Sequence, residues 1–267
     1  LDEALADLDF FFRTVEKAHF NPLARLSKAD YASLKERSRS SLRRSATEGG
    51  QGSKVFLALT VVEAAAALGD GHTYCHLGWK LVETSQDEPC LPPFRLEWRA
   101  GGVVVGEGVP ELRSWKGARL VRINGLECKE ALRPILDRIS GERWEHRMAV
   151  FLSQQELYWA LIRPVPGPEI TLELRREAGQ PQEIRLGLVS RARYRKELPA
   201  PPGRPDWGFH KFHDNGRVCY WQYNTCLATG QAREWQETVF REMRERRTEC
   251  LVLDLRFNSG GSDAACR

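Results

Sequence analysis

The sequence predicts a chain of mixed α+β and α/β character: an N-terminal helical bundle, a β-rich middle region and the opening of an α/β core. Three observations predict it. Apolar residues recur at helical spacing through residue 68. Short strand-like runs separated by turn residues dominate residues 92–188. From residue 218 onward the pattern is strand, helix, strand, an order that implies a right-handed crossover and a parallel pair. The 267 residues are 42% hydrophobic and include eight Trp, enough for a real core in one or two domains and against wholesale disorder.

The elements run in this order. Leu5, Leu8, Phe11, Phe12 and Val15 share one helical face, and Asn21-Pro22 stops that helix. Ser27-Lys-Ala-Asp30 reads as a capping-box-like start to a second helix. Gly49-Gly-Gln-Gly-Ser53 reads as a flexible loop. Residues 55–68 form an Ala-rich apolar helix that Gly69 ends, delivering Asp70-Gly71-His72-Thr73 to a loop. Residues 94–98, 102–106 and 117–125 read as strands, the last closed by an Asn124-Gly125 turn. Residues 130–139 and 144–161 each read as one helix. Residues 169–174 and 183–186 form a hairpin around Ala178-Gly-Gln-Pro181, and Pro199-Ala-Pro-Pro-Gly-Arg-Pro205 is a proline-rich connector. A strand at 218–223, a helix at 231–246 and a short buried strand at Leu251-Val-Leu253 complete the chain. The regions are thus 1–76, 77–198 and 199–267.

Charge and cysteine content narrow the partners. Forty basic against 36 acidic residues leave +4. Arg191-Ala-Arg-Tyr-Arg-Lys196 has no zinc-finger or RNA-binding signature beside it, so it reads as a solvated face and no nucleic-acid partner is expected. No apolar stretch approaches the roughly 18 residues a membrane span needs. The seven Cys contain no C-x-x-C pair, which argues against a disulfide framework and a structural zinc. A Cys219–Cys226 bridge stays open, because both fit one strand–loop unit.

Chemistry concentrates at the end of the last strand. Asp254 and Arg256 lie two apart on one strand face. Gly260-Gly261 then permits positive φ, and such a turn can point free N–H groups at an oxyanion or phosphate. Upstream, His72 stands beside Gly71 at a helix end, where a neighbouring carboxylate or hydroxyl can hold it as a general base; the bland alternative is a helix cap with a surface His.

The stretch Asp254-Leu-Arg256-Phe-Asn258-Ser-Gly260-Gly261 resembles the Asp-x-Arg-x-Asn-x-Gly-Gly signature of the tail-specific (C-terminal processing) serine peptidases, which include the tricorn core domain. Asp70-Gly71-His72-Thr73 resembles the family's Asp-Gly-His-Thr segment after its helical bundle. Gly117-Ala-Arg-Leu-Val-Arg-Ile123-Asn124-Gly125 is similar to a segment of PDZ-like modules, which add a peptide as a strand. The resemblance implies a serine endopeptidase that takes peptide or unfolded protein and needs no cofactor or metal. Gly260 and Gly261 are the implied oxyanion donors. In the tricorn-like branch His72 is the base; Gly71 replaces that branch's supporting Ser, a part left to Asp70 or Thr73; in the Ser-Lys branch His72 is structural. Asp254, Arg256 and Asn258 underpin the loop. The family's nucleophile comes after the Gly-Gly loop, so these residues are expected to lack it, with Ser259 and Ser262 shaping the loop. The rival reading is a non-catalytic peptide-binding module. The compartment stays open: the family's envelope and secreted substrates point to an extracytoplasmic site, whereas seven Cys without a pairing pattern lean toward a reducing one.

Overall fold

The computed structural model describes residues 1–47, 53–78, 81–82, 88, 90–99, 101–163, 167–177, 179–198, 208–227, 229–256, 258 and 260–262. The loop expected at 49–52 and the connector at 199–205 lie outside them. Two compact units divide the chain, Leu1–Pro199 and Ala200–Arg267.

The first unit opens with α1 (Asp2–Ala18), α2 (Lys28–Thr47) and α3 (Ser53–Ala67). Leu8, Phe12 and Val15 of α1 are buried, as the periodicity requires. Ser27 caps α2: its Oγ accepts the Asp30 N–H at 3.0 Å and donates to the Asp30 carboxylate at 2.6 Å. The helix α3 is apolar nearly all round because it serves two cores. Ala64, together with Leu68 just past its end, packs with Leu8, Phe12 and Leu34, whereas Val62 joins the core of the sheet. Gly69 ends the helix at φ +69°, a left-handed conformation that costs glycine little.

The sheet comprises β1 (Phe94–Arg99), β2 (Gly102–Gly108), β3 (Arg119–Ile123), β4 (Leu126–Glu127), β5 (Glu169–Arg175) and β6 (Gln182–Gly187). Its order is β1-β2-β3-β5-β6, with β4 also on β3, and every pairing is antiparallel. Phe94, Leu96, Val105, Leu120, Ile170, Leu172 and Leu174 form one core with Leu132, Ile135, Met148, Phe151, Trp159 and Tyr194. Asn124 (φ 49°) and Gly125 (φ 78°) make the two-residue β3–β4 turn. Asn124 also exchanges two 2.8 Å bonds with the Thr171 backbone, one through its N–H and one through Oδ1.

Two expected helices are each two pieces. Residues 130–139 fold as α4 (Cys128–Ala131) and α5 (Arg133–Leu136), since Pro134 has no N–H to continue the ladder. Residues 144–161 fold as α6 (Trp144–Ser153) and α7 (Gln155–Ile162), parted at Gln154 (φ −131°, ψ 28°). The break has a use. The buried Gln155 side chain accepts the Leu96 N–H at 2.7 Å and donates to the Leu96 carbonyl at 3.2 Å. Its amide thus stands in for a neighbouring strand along the open edge of β1. The unit's last helix is α8 (Arg191–Glu197), with the Ser190 hydroxyl accepting the Arg193 N–H.

The second unit is a three-stranded sheet ordered β7 (Gly208–His213), β8 (Val218–Tyr223), β9 (Cys250–Asp254), with α9 (Gly230–Glu245) between β8 and β9. The β7 strand is antiparallel to β8, and β8 and β9 are parallel, as the strand–helix–strand order implies. The sequence reading missed β7. It also misjudged residues 251–253: Leu251, Val252 and Leu253 are 38%, 46% and 47% exposed rather than buried. The reason is that among the described residues β9 is the edge strand, and the core of α9 lies over β8, where Val239 meets Cys219 and Trp221. Cys219 and Cys226 are free thiols, so no bridge joins them.

Replacing Gln155 by Leu is expected to leave the Leu96 N–H and C=O without partners, lowering stability by about 2–4 kcal/mol in urea unfolding. A loss below about 0.5 kcal/mol would contradict the strand-surrogate role, because an unmet buried pair costs more than that.

Candidate active site

In the second unit the resembling motif is a closed hydrogen-bonded device. Asp254 ends β9 with its side chain only 5% exposed. It accepts the Tyr220 hydroxyl from the adjacent strand. Arg256 donates to it three times, through its backbone N–H (3.0 Å), Nε (3.0 Å) and Nη2 (2.7 Å). The strand has ended at Asp254, so Arg256 reaches back from the next turn and not from a shared strand face. The Arg256 guanidinium holds the Asp254 carboxyl well below the usual carboxylate range, and the pairing raises the pKa of Arg256 in turn. The bond to Asp254 pushes the Tyr220 phenol up.

Asn258 organises the glycine loop. Its Nδ2 donates to the Tyr223 carbonyl at 2.9 Å, and its Oδ1 accepts the Gly260 N–H at 2.7 Å. Cys226 donates its N–H to the Gly260 carbonyl, and its own carbonyl accepts the Ser262 N–H, both at 2.8 Å. Gly260 (φ 84°) and Gly261 (φ 147°) adopt the positive φ expected of them, and a Cβ on Gly261 would collide with the Cys226 backbone. The expectation of two free N–H donors is narrowed: the Gly260 N–H is held by Asn258. Among the described residues nothing accepts the Gly261 N–H. Ser259 lies outside the described residues; Ser262 is exposed on this loop.

In the first unit Asp70 is the hub. Its Oδ1 accepts the His72 backbone N–H at 3.0 Å, and its Oδ2 accepts the Thr73 hydroxyl at 2.7 Å. His19 lies 3.1 Å from the same oxygen. The tautomer of His19 is set by its other contact: Nδ1 accepts the Asn21 N–H at 3.0 Å, so Nε2 carries the proton and donates to Asp70. These donors, led by the His72 N–H and the Thr73 hydroxyl, lower the Asp70 pKa from 3.8 to about 2. The His72 imidazole is fully exposed, with Nδ1 3.6 Å from Asp70 Oδ1. Glu142 lies against Gly71, and its own backbone N–H and that of Gly71 lower its pKa. Sequence reasoning missed His19, Glu142, Tyr220 and Cys226, because each enters through a contact distant in sequence.

Among the described residues no group of three or more His, Cys, Asp or Glu is placed to hold a metal, and no helix is long and apolar enough to cross a membrane.

No protein-family model matches the chain, and no curated protein does. Solved structures do match. A serine-to-alanine mutant of CPAF superposes with a TM-score of 0.61 at 16% identity, covering 97% of this chain and 57% of that one. In fold, this chain is similar to CPAF. Mature CPAF complexed with lactacystin matches at 0.57 and 16% identity over 98% and 57% of the two chains. Mature CPAF matches at 0.55 and 17% over 97% and 56%. At such identities the likeness is one of fold, and the α+β class read from the sequence is the class observed. The chain spans a little over half the length of these structures.

The Asp70 titration tests the hub. Its pKa is lower in the folded chain, so its stabilising contribution is complete above the ordinary 3.8 and is lost as pH falls through about 2. A carboxyl carbon NMR titration is expected to place the midpoint near 2, rising toward 3.8 in Thr73→Val. A wild-type midpoint at 3.8 or above would contradict the hydrogen bonding described.

Proposed function

We propose that this chain carries part of the machinery of a serine peptidase of the tail-specific kind, which hydrolyses peptide bonds by acyl transfer. The observation that carries the reading is the loop from Asn258 to Gly261, with positive φ at both glycines and an N–H on Gly261 that no described residue accepts. Support comes from the fold likeness to CPAF, a chlamydial serine protease.

The family resemblance suggests the roles. A serine Oγ attacks the scissile carbonyl, and His72 takes its proton and returns it to the leaving amine. Asp70 Oδ1, 3.6 Å from Nδ1, orients that ring after a small swing and stabilises the imidazolium. Thr73 and His19 hold Asp70 in turn. The Gly261 N–H meets the developing oxyanion, where losing one such donor costs about 3–4 kcal/mol; Gly260 joins only if Asn258 releases its N–H. Asp254, Arg256 and Asn258 are positioning residues. Within the family this assignment is the tricorn-like branch, favoured by the carboxylate beside His72. Ser262 is read as shaping the loop rather than as the attacking serine. Residues 77–198 are read as a PDZ-like region that holds substrate, which the Asn124-Gly125 hairpin supports. Peptides or unfolded proteins are the substrates.

A fluorophosphonate probe tests the reading. The protein purified from its source is expected to be labelled at a serine other than Ser259 or Ser262, and His72→Ala is expected to slow labelling at least a hundredfold. Absence of labelling in the protein from its source, or labelling at Ser262, would overturn it.

A further inference from the structure

The His72 ring is fully exposed, and the contact described for it is the 3.6 Å approach of Nδ1 to Asp70. Its place is therefore set by its backbone, and that backbone hangs from the end of α3. The end of α3 is held from α6. The carbonyl of Ala66, a fully buried residue, accepts the Gly69 N–H at 3.1 Å and also Nη2 of Arg147 at 3.4 Å. The same guanidinium donates through Nε to the Gly141 carbonyl at 2.9 Å. One rigid fork thus spans the end of α3 and the turn before α6, and a cation suits the last carbonyls of a helix. Among the described residues no carboxylate forms an ion pair with Arg147, so the donors described for it go to backbone oxygens.

The tie has a firm base and a close fit. Arg147 is followed in α6 by Met148 and then by Phe151, both buried in the core of the sheet. The turn that Arg147 holds also flanks the histidine loop. A Cβ on Gly71 would lie 3.7 Å from Glu142 Oε2, 3.8 Å from His146 Nε2 and 4.0 Å from the Gly141 Cα. Gly141 is itself confined: its φ is 143°, and a Cβ on it would come within 2.4 Å of His146 Cδ2. At the start of the loop Gly69 lies against Arg25, whose Cδ would be 2.9 Å from an added Cβ.

We propose that Arg147 is a positioning residue for His72: it fixes the end of α3 against the turn before α6 and so sets the place of the loop from Asp70 to Thr73. The proposal rests on the reading of His72 as the base. Arg147 acts through the backbone of α3, apart from the hold that Asp70, Thr73 and His19 exert within the loop. Misplacing a reacting group by about 1 Å can cost about a hundredfold in rate, so a loop that drifts by a fraction of that matters.

Two variants and two readouts form the test. Arg147→Met keeps the apolar stem and removes the donors, whereas Arg147→Lys can reach one carbonyl but has no planar fork for two. In this chain, Arg147→Met is expected to shift the Gly71 and His72 amide NMR signals and to speed exchange of the His72 N–H at least fivefold, with the far-ultraviolet dichroism unchanged and Arg147→Lys intermediate. In the protein as expressed in its source, Arg147→Met is expected to lower the maximal rate of fluorophosphonate labelling about tenfold, with the half-saturating probe concentration within twofold of wild type and partial recovery in Arg147→Lys. A merely structural loss would reduce the fraction labelled and leave the rate of the remainder unchanged. Unchanged Gly71 and His72 amides in Arg147→Met would overturn the tie. A maximal rate within twofold of wild type, in a protein that His72→Ala slows, would overturn the positioning role and leave the peptidase reading in place. Labelling indifferent to His72→Ala would remove His72 as the base and this proposal with it, whatever the amides show.

Discussion

Backbone N–H and C=O groups need partners where regular structure stops, and in this chain side chains supply several of them, in buried and exposed places alike. Gln155 does so along the edge of β1, Asn124 at the β3–β4 turn, Asp70 after α3, and Asn258 in the loop after β9. Each of these side chains presents an oxygen in a fixed place, so each also fixes the backbone that donates to it. The groups left without a partner then become specific. Among the described residues the Gly261 N–H is such a place, and it is suited to an oxyanion.

Charge obeys a related rule. A carboxylate as enclosed as that of Asp254 is tolerable only with donors around it, and Tyr220 and Arg256 supply them. Asp70 is handled similarly with weaker donors, and a neutral His19 can serve because its other nitrogen already accepts an N–H. Neither carboxylate has to change protonation state near neutral pH, which suits groups that hold geometry rather than exchange protons. Against this background Arg119 and Arg175 stand out: no described carboxylate pairs with either, and Arg119 reaches only the Gly101 carbonyl, whereas Arg122 nearby has two carboxylates.

Local chemistry made much of this legible in the sequence. The apolar stripes announced α1 and α3. Positions needing positive φ were marked by Gly69, Asn124-Gly125 and Gly260-Gly261, since few other residues adopt that conformation easily. The strand–helix–strand order announced the parallel pair of β8 and β9. What stayed hidden depends on tertiary partners. An apolar run such as Leu251-Val-Leu253 reads identically whether or not a helix covers it. The break at Gln154 is explained by Leu96, nearly sixty residues upstream, and His19 finds Asp70 across 51 residues. The pairing of Asn258 with Gly260 is local, yet nothing in the residue types distinguished it from two free glycine donors.

That last distinction is the one on which the proposed oxyanion site turns: Asn258 accepts the Gly260 N–H, and among the described residues none accepts the Gly261 N–H. Amide hydrogen exchange at these two glycines measures it directly. Gly260 is expected to be protected by about tenfold or more, a modest value for a loop hydrogen bond. Asn258→Ala is expected to abolish this protection, while Gly261 exchanges near its intrinsic rate in both proteins. Equal protection of Gly261 and Gly260 in the wild-type chain, or protection of Gly260 that survives Asn258→Ala, would contradict it.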